Sequence, residues 1–111
     1  MEPRLRRLPS NSVSEDFGVS DPAMRRVLHT YLAGGRLRTM PRRGAKRRIV
    51  LDYLATLFEP GVRYPESEVN AVLRPYHDDV AALRRYLIDE GLLGREAGVY
   101  WRTGGWVDVL T

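Results

Sequence analysis

Five acidic or imidazole side chains that could act as general acids, general bases or metal ligands lie close together in the sequence: Glu66, Glu68, His77, Asp78 and Asp79. No nucleophile motif or phosphate-cradling glycine loop accompanies them, the second histidine (His29) is far away, and the chain has no cysteine. Acidic residues of this kind are typical of helix starts, where they cap the first turn. We therefore expect no enzymatic activity, no metal site and no cofactor.

The positive charge is concentrated in one run, residues 36–48. The run holds seven basic residues and no acidic one: Arg36, Arg38, Arg42, Arg43, Lys46, Arg47 and Arg48. From residue 49 onward the chain is acidic, with six basic and ten acidic residues. A basic stripe of this kind is suited to neutralising the phosphates of a polyanion. The alternative is a solvated loop and helix start whose arginines pair with the acidic remainder of the domain.

Two helices are expected on the N-terminal side of Tyr64. The first spans residues 22–33, with Asp21 as its N-cap and Gly34 and Gly35 at its end. The second spans residues 45–58, with Ile49, Val50, Tyr53, Leu54, Leu57 and Phe58 on its inner face. Between them, the alternation of apolar and polar residues predicts a short strand over residues 36–40.

The rest of the domain is organised around the segment Tyr64–Trp101. It predicts a short helix, a turn, a longer helix over residues 77–90 and a β-hairpin that turns at residues 95–98. The longer helix is marked by an apolar stripe of Val80, Leu83 and Leu87. Gly91 follows it at the position of a left-handed C-terminal cap. Residues 62–64 are expected to add a third strand. This order of elements predicts an α+β fold, a winged helix-turn-helix with an additional N-terminal helix and a C-terminal hairpin wing.

The longer helix holds the position of a recognition helix in that fold. Its outward face carries Asp78, Ala82, Arg85 and Asp89. Phosphates repel carboxylates, so Asp78 and Asp79 are expected to cap the helix, and base reading by its N-terminal end is disfavoured.

Arg84 lies close to the apolar stripe of this helix, which predicts a half-buried and paired guanidinium. Glu68 and Asp79 are its expected partners, and Asn70 is expected to bond across to a neighbouring backbone. The four residues would form a structural polar network that fixes the angle between the two helices. A ligand site built from Glu68, Asn70 and Arg84 is the alternative.

The ends of the chain are expected to differ from its centre. Residues 1–20 lack helical periodicity and predict a flexible arm, which leaves residues 21–102 for the domain and 103–111 for a tail. Tyr100 and Trp101 alternate across the hairpin strand, so that one packs inward and the other is exposed. Trp106 and the residues after it form either a partner-binding strand or a segment packed on its own domain.

Several separated motifs, in order, resemble a bacterial family, domain of unknown function 2087, over about residues 21–102. They are Gly35-Arg36-Leu37, Met40-Pro41, the basic run, Tyr64, Glu68-Val69-Asn70, Asp79, Leu83-Arg84-Arg85 and Tyr100-Trp101-Arg102. Members of this family are often attached to helix-turn-helix transcription regulators, so the resemblance implies a regulatory setting. The family usually has Ser or Thr after the tyrosine, a side chain able to cap the next helix, whereas this chain has Pro65.

These features together predict a non-catalytic cytoplasmic protein that binds nucleic acid, DNA in the first place, in transcription regulation. The basic run would supply most phosphate contacts, with Arg85 on the helix and Arg95 and Arg102 on the wing. The alternative is a protein-interaction module on the same scaffold, which would bind another regulator or form a homodimer. No apolar run approaches the ~20 residues that cross a bilayer, so no membrane contact is expected.

Overall fold

Four α-helices and three short strands follow one another in the computed structural model, which describes residues 17–106. They are α1 (Pro22–Tyr31), α2 (Gly44–Ala55), β1 (Arg63–Pro65), α3 (Glu66–Leu73), α4 (Val80–Asp89), β2 (Leu93–Glu96) and β3 (Val99–Arg102), with a 3₁₀ turn at Ala33–Gly35. The prediction of a mixed α+β fold is confirmed. No helix among the described residues is long and apolar enough to span a membrane.

Helix α1 begins as its sequence predicts and ends two residues early. The Asp21 side chain accepts a hydrogen bond of 2.9 Å from the Ala23 amide, and Pro22 holds the first helical position. At the other end Leu32 is fully packed in the core, and Gly34 adopts a φ of 71°. This left-handed conformation is accessible to glycine without strain and turns the chain away from the helix axis.

The strand predicted over residues 36–40 is wrong. The amide of Leu37 donates to the Tyr76 carbonyl at 2.7 Å, whereas the amide of Arg38 donates to Tyr31 at 3.4 Å. These partners lie on different elements, so no ladder forms. The alternation of the sequence has another cause, because Leu37 inserts into the core while its neighbours remain exposed.

Helix α2 lies deeper in the molecule than its amphipathic pattern indicates. Besides the predicted Val50 and Leu54, it buries Leu51, Asp52 and Ala55. The buried face is wide because α1 packs against the helix on one side and α4 on another. The predicted end at residue 58 is three residues too late, although Phe58 itself is fully buried.

The three strands form one antiparallel sheet in the order β1-β3-β2. In its register, Tyr64 and Arg95 lie on either side of Tyr100, so the expected third strand is present at residues 63–65. The hairpin turns at Ala97 and Gly98, with φ of 52° and 79°. Two successive positive φ angles match the type I′ turn that suits the twist of a two-residue hairpin.

The inner faces of α3 and α4 meet beneath this sheet. Val69, Leu73, Leu83 and Leu87 are fully buried there, which confirms the predicted apolar stripe. Helix α4 begins at Val80 and not at His77, because the Asp79 side chain accepts from the Ala82 amide at 3.1 Å and caps it. Gly91, with a φ of 75°, occupies the left-handed conformation expected after the helix.

The described residues reach into both predicted end segments. Phe17 and Val19, placed in the arm by the sequence, pack against the core, as does Trp106 at the other end. The Thr103 hydroxyl donates to the Gly91 carbonyl at 2.8 Å, which ties the start of the tail to the end of α4. The remaining arm residues, 1–16, and the remaining tail residues, 107–111, lie outside the described residues.

Candidate nucleic-acid interface

Arg47 joins the basic run to helix α4. Its guanidinium lies 4.2 Å from the centre of the Tyr86 ring, within the range of a cation–π contact. The same group donates to the Arg42 carbonyl at 3.0 Å, and its contact with the Pro41 carbonyl is 3.5 Å. Arg47 therefore holds the loop before α2 in place and fixes it beside α4.

The contact between the loop before α2 and helix α4, here called the junction, depends on Tyr86. Arg85, exposed on α4, approaches the same ring to 5.8 Å, so two guanidinium groups flank one tyrosine. Sequence reasoning missed Tyr86. The available signal was its position beside Leu87 and one turn after Leu83, at the border of the apolar stripe, where an aromatic ring is half-buried and offers a face to cations.

Four basic side chains of the run are exposed and make no hydrogen bond or ion pair with other described residues: Arg38, Arg42, Arg43 and Lys46. Arg43 is also the N-cap of α2 and supplies no side-chain cap, and the first turn of that helix carries no acid. The positive end of the helix dipole thus adds to the charge of these side chains. This part of the run forms a strongly positive surface.

The other end of the run is neutralised by acidic residues. Arg36 donates to the Asp78 carboxylate at 3.0 Å and to the Pro75 carbonyl at 3.1 Å. Arg48 contacts Asp52 at 3.1 Å and Glu90 at 3.4 Å. For these two arginines the structure agrees with the alternative in which the run pairs with the acidic part of the domain. The sequence predicted that Asp78 helps to cap α4, and this prediction is wrong, because Asp78 pairs with Arg36 and the capping side chain is Asp79.

Arg48 lies beside a buried carboxyl group. Asp52 is 7% exposed, and burial raises its pKa above the ordinary value of 3.8, while the charge of Arg48 opposes the shift. Arg48 therefore compensates a buried acid, which gives it a structural task distinct from phosphate binding.

Arg102, predicted as a wing contact, points into the molecule. Its Nε donates to the Gly104 carbonyl at 2.9 Å and its Nη1 to the Phe58 carbonyl at 3.2 Å, while Nη2 is buried and has no hydrogen-bond partner among residues 17–106. Burial lowers its pKa, and the Asp52 charge partly offsets this effect. The prediction for Arg102 is wrong because its strand position faces the end of α2. Arg95 remains exposed, 5.7 Å from the Tyr100 ring.

The polar network around Arg84 is present with different carboxylate partners. Arg84 donates to the Asn70 side chain and, through Nε at 3.1 Å, to the Tyr100 hydroxyl. That hydroxyl donates to Glu66 at 2.9 Å, and the Arg84 guanidinium lies 3.7 Å from the other Glu66 oxygen. Glu68 and Asp79 are wrong as partners. Glu68 lies two residues further along α3 and is exposed, and Asp79 caps its own helix. The network joins α3, α4 and β3.

The N-terminal end of α4 is occupied by contacts of its own. The His77 Nδ1 atom lies 3.2 Å from the Leu37 carbonyl, Asp78 pairs with Arg36, and Asp79 caps the helix. A small hollow of about 310 Å³ lies between this end and the loop, and Arg38 and Tyr86 line it. Among residues 17–106 there is no group of three or more His, Asp or Glu side chains placed to hold a metal.

Comparison with known proteins places the described junction within one family model. The match covers residues 36–102, from the start of the basic run to the end of β3, and the family is described as an uncharacterized protein conserved in bacteria. Neither the curated proteins nor the solved structures gave a match. Because the model covers more than half of the chain, this protein belongs to the DUF2087 family.

Proposed function

We propose that this protein is a winged helix-turn-helix protein that binds DNA in transcription regulation, with the basic loop before α2 as its phosphate-binding surface. The observation that carries the proposal is the junction at Tyr86. Arg47 bonds the loop backbone and stacks on α4, so the free cations of the loop and Arg85 belong to one continuous surface.

The order of elements supports the assignment of the fold type. Helices α3 and α4 with the turn between them correspond to a helix-turn-helix pair, and the β2–β3 hairpin that follows corresponds to a wing. Strand β1 pairs with β3, on the opposite side from β2, which supplies the third strand expected of such a sheet.

Phosphate binding by the loop follows from its electrostatics. Arg42, Arg43 and Lys46 are exposed around an α2 N-terminus that no side chain in the described part of the chain caps. Backbone amides at a helix N-terminus and adjacent cations both favour an anion. Fixing the loop on α4 lowers the entropy lost when these side chains become ordered on a phosphate backbone.

Base reading contributes less in this proposal. Asp78 and Asp79 lie at the N-terminal end of α4, the end that contacts base edges in many helix-turn-helix proteins. Arg85 is an exposed cation in the second turn of α4. Its guanidinium lies near the Tyr86 ring, which also contacts Arg47. Binding of duplex DNA would then depend more on phosphate contacts than on sequence.

The test is a salt series of binding to labelled duplex DNA, single-stranded DNA and RNA. The variant carries Arg42→Gln and Arg43→Gln, which leaves the anchoring Arg47 and the ion-paired Arg48 intact. The matched control carries Arg63→Gln and Arg74→Gln, which removes the same charge from exposed positions outside the loop. We expect the loop variant alone to flatten the slope of log affinity against log salt on duplex DNA, by ~1.8 for two lost contacts.

Three other outcomes have distinct meanings. Equal losses in the two double variants would mean that net charge, and not this surface, drives binding. Loss of sequence discrimination in Arg85→Ala, with normal binding by the loop variant, would mean that α4 reads bases. If no nucleic acid binds at any salt concentration, the proposal is wrong and the protein-interaction alternative takes its place.

A further inference from the structure

A row of four aromatic rings lies on the side of the molecule where α1, α2 and the α3–α4 turn meet. The rings belong to His29, Phe17, Tyr53 and Tyr76, in that order. Centroid separations along the row are 5.3, 5.3 and 6.5 Å, and each ring is nearly perpendicular to the next, at 79°, 83° and 75°. In each of these pairs the edge of one ring meets the face of the next, so no ring has a parallel stacking partner within the row.

These rings border a hollow of about 540 Å³. The 3₁₀ segment after α1 and Pro75 complete its wall. A cavity of ~150 Å³ accommodates benzene, so this hollow has room for two fused aromatic rings. Its volume also lies in the usual range of small-molecule sites, roughly 300–1,000 Å³.

The described residues that line the hollow include no arginine, lysine, aspartate or glutamate. Burial, together with the neighbouring Tyr76, raises the pKa of Tyr53 to about 12, so its hydroxyl keeps its proton at neutral pH. The polar groups of the wall, phenol hydroxyls and an imidazole, can exchange a hydrogen bond with a ligand hydroxyl.

We propose that this hollow is a binding site for a neutral, planar aromatic compound of about two fused rings that carries a hydroxyl group. Rings without a parallel partner in the row can stack on a planar ligand, the volume sets the size, and a lining without Arg, Lys, Asp or Glu among the described residues gives a charged ligand group no fixed counter-ion. The site is separate from the basic loop, and the proposal does not depend on nucleic-acid binding.

The probe is 2-naphthol, titrated into the full chain and followed by calorimetry and by NMR of the tyrosine ring signals. Two related compounds are matched controls: decahydro-2-naphthol keeps the carbon skeleton without planarity, and 2-naphthoate replaces the hydroxyl with a charge. We expect saturation at one equivalent, with shifts at Tyr53 and Tyr76 and none at Tyr86. Both control compounds are expected to bind at least tenfold more weakly.

Two variants locate the site. Phe17→Ala removes one ring of the row and is expected to weaken 2-naphthol about tenfold. Ala33→Phe fills the hollow from its own wall and is expected to abolish binding, whereas Ala71→Phe, on the exposed face of α3, leaves affinity unchanged. The NMR spectrum of each variant verifies its fold, and if Ala33→Phe does not fold, Phe17→Ala decides.

The proposal is overturned by any of three results. The first is a titration that does not saturate before the solubility limit of 2-naphthol. The second is equal affinity for 2-naphthol and its saturated analogue, which would indicate unspecific apolar contact. The third is unchanged affinity in a folded Phe17→Ala variant.

Discussion

Tyr100 links three elements through one hydroxyl group. On β3, it donates to Glu66 at the start of α3 and accepts from Arg84 on α4, and its side chain is almost fully buried. A buried hydroxyl with two partners stabilises more by keeping them satisfied than by the strength of either bond. The geometry of the α3–α4 pair therefore depends on a residue that lies outside both helices.

We predict that Tyr100→Phe lowers the free energy of unfolding by about 1–2 kcal/mol, because Glu66 and Arg84 each lose a buried partner. Urea unfolding measures the change. The matched control is Tyr31→Phe, whose hydroxyl makes no hydrogen bond with the described residues, and its expected change is within about 0.5 kcal/mol. Equal effects of the two substitutions would show that the hydroxyl network contributes nothing specific.

Asp52 gives the protein a pH dependence of defined sign. Burial raises its pKa above 3.8 in the folded state, against the opposing effect of Arg48. Between 3.8 and the raised value the folded state binds more protons than the unfolded state, so the free energy of unfolding falls as pH rises through this window. Above the window, the contribution of Asp52 no longer changes with pH.

We predict that Asp52→Asn removes this fall while keeping an acceptor for Arg48. The stability of the natural chain relative to the variant should decline from pH 3 upward and then level off, as measured by urea unfolding at each pH. Asp89→Asn, an exposed acid on α4, is the control for unspecific charge effects. A relative stability that increases with pH would mean that the ion pair with Arg48 outweighs burial.

At this scale the sequence predicts residue chemistry better than residue partners. It indicated the basic run and a paired Arg84, but Arg36 meets Asp78, and Arg48 meets Glu90, each 42 positions along the chain. Such pairs depend on how helices pack, which local patterns do not contain. Arg102 was misassigned for the same reason, because the carbonyl of Phe58 that accepts from it lies on a distant segment.

At the scale of elements, the hairpin turn contains one unfavourable residue. Ala97 adopts a φ of 52°, which costs an L-residue with a Cβ roughly 1–2 kcal/mol relative to the right-handed region. Asn and Gly tolerate this conformation, and Asn-Gly is the preferred pair in type I′ turns. The sequence here has Ala-Gly in its place.

We predict that Ala97→Asn raises the free energy of unfolding by about 0.5–1 kcal/mol, measured by thermal or urea unfolding. The opposite change is expected for Gly98→Ala, which places a Cβ at a φ of 79°. A destabilising Ala97→Asn would show that the turn changes its type in solution.

The elements themselves were largely predictable because their signals are local. Asp21-Pro22, the Val80–Leu87 stripe and Gly91 each act within a few residues and were confirmed. The strand predicted over residues 36–40 is absent because the Leu37 amide donates to the Tyr76 carbonyl. This tertiary contact buries Leu37 among exposed neighbours, which gives the same alternation as a strand.

At the scale of the whole molecule, the segment between α1 and α2 connects the two candidate sites. Its first residues form a wall of the aromatic hollow, and its last residues form the basic loop. Between them, Arg36 and Leu37 hydrogen-bond the carbonyls of Pro75 and Tyr76, which also line the hollow. The segment that joins the two candidate sites therefore rests against the α3–α4 turn.

The segment before α1 is part of this arrangement. Phe17 packs between His29 of α1 and Tyr53 of α2, and the Arg25 side chain donates to the carbonyls of Val19 and Ser20 at 3.0 and 2.8 Å. This packing could not be predicted from the sequence, because two apolar residues among polar ones do not form a periodic pattern.

We predict that a chain beginning at Asp21 is less stable than one beginning at Phe17, by about 1–3 kcal/mol. The difference reflects the apolar area that Phe17 and Val19 remove from water and the lost carbonyl partners of Arg25. Urea midpoints of the two truncated chains measure it, and Phe17→Ala in the full chain should reproduce part of the loss. Equal midpoints would mean that residues 17–20 contribute nothing to folding, and the row of aromatic rings would then start at α1.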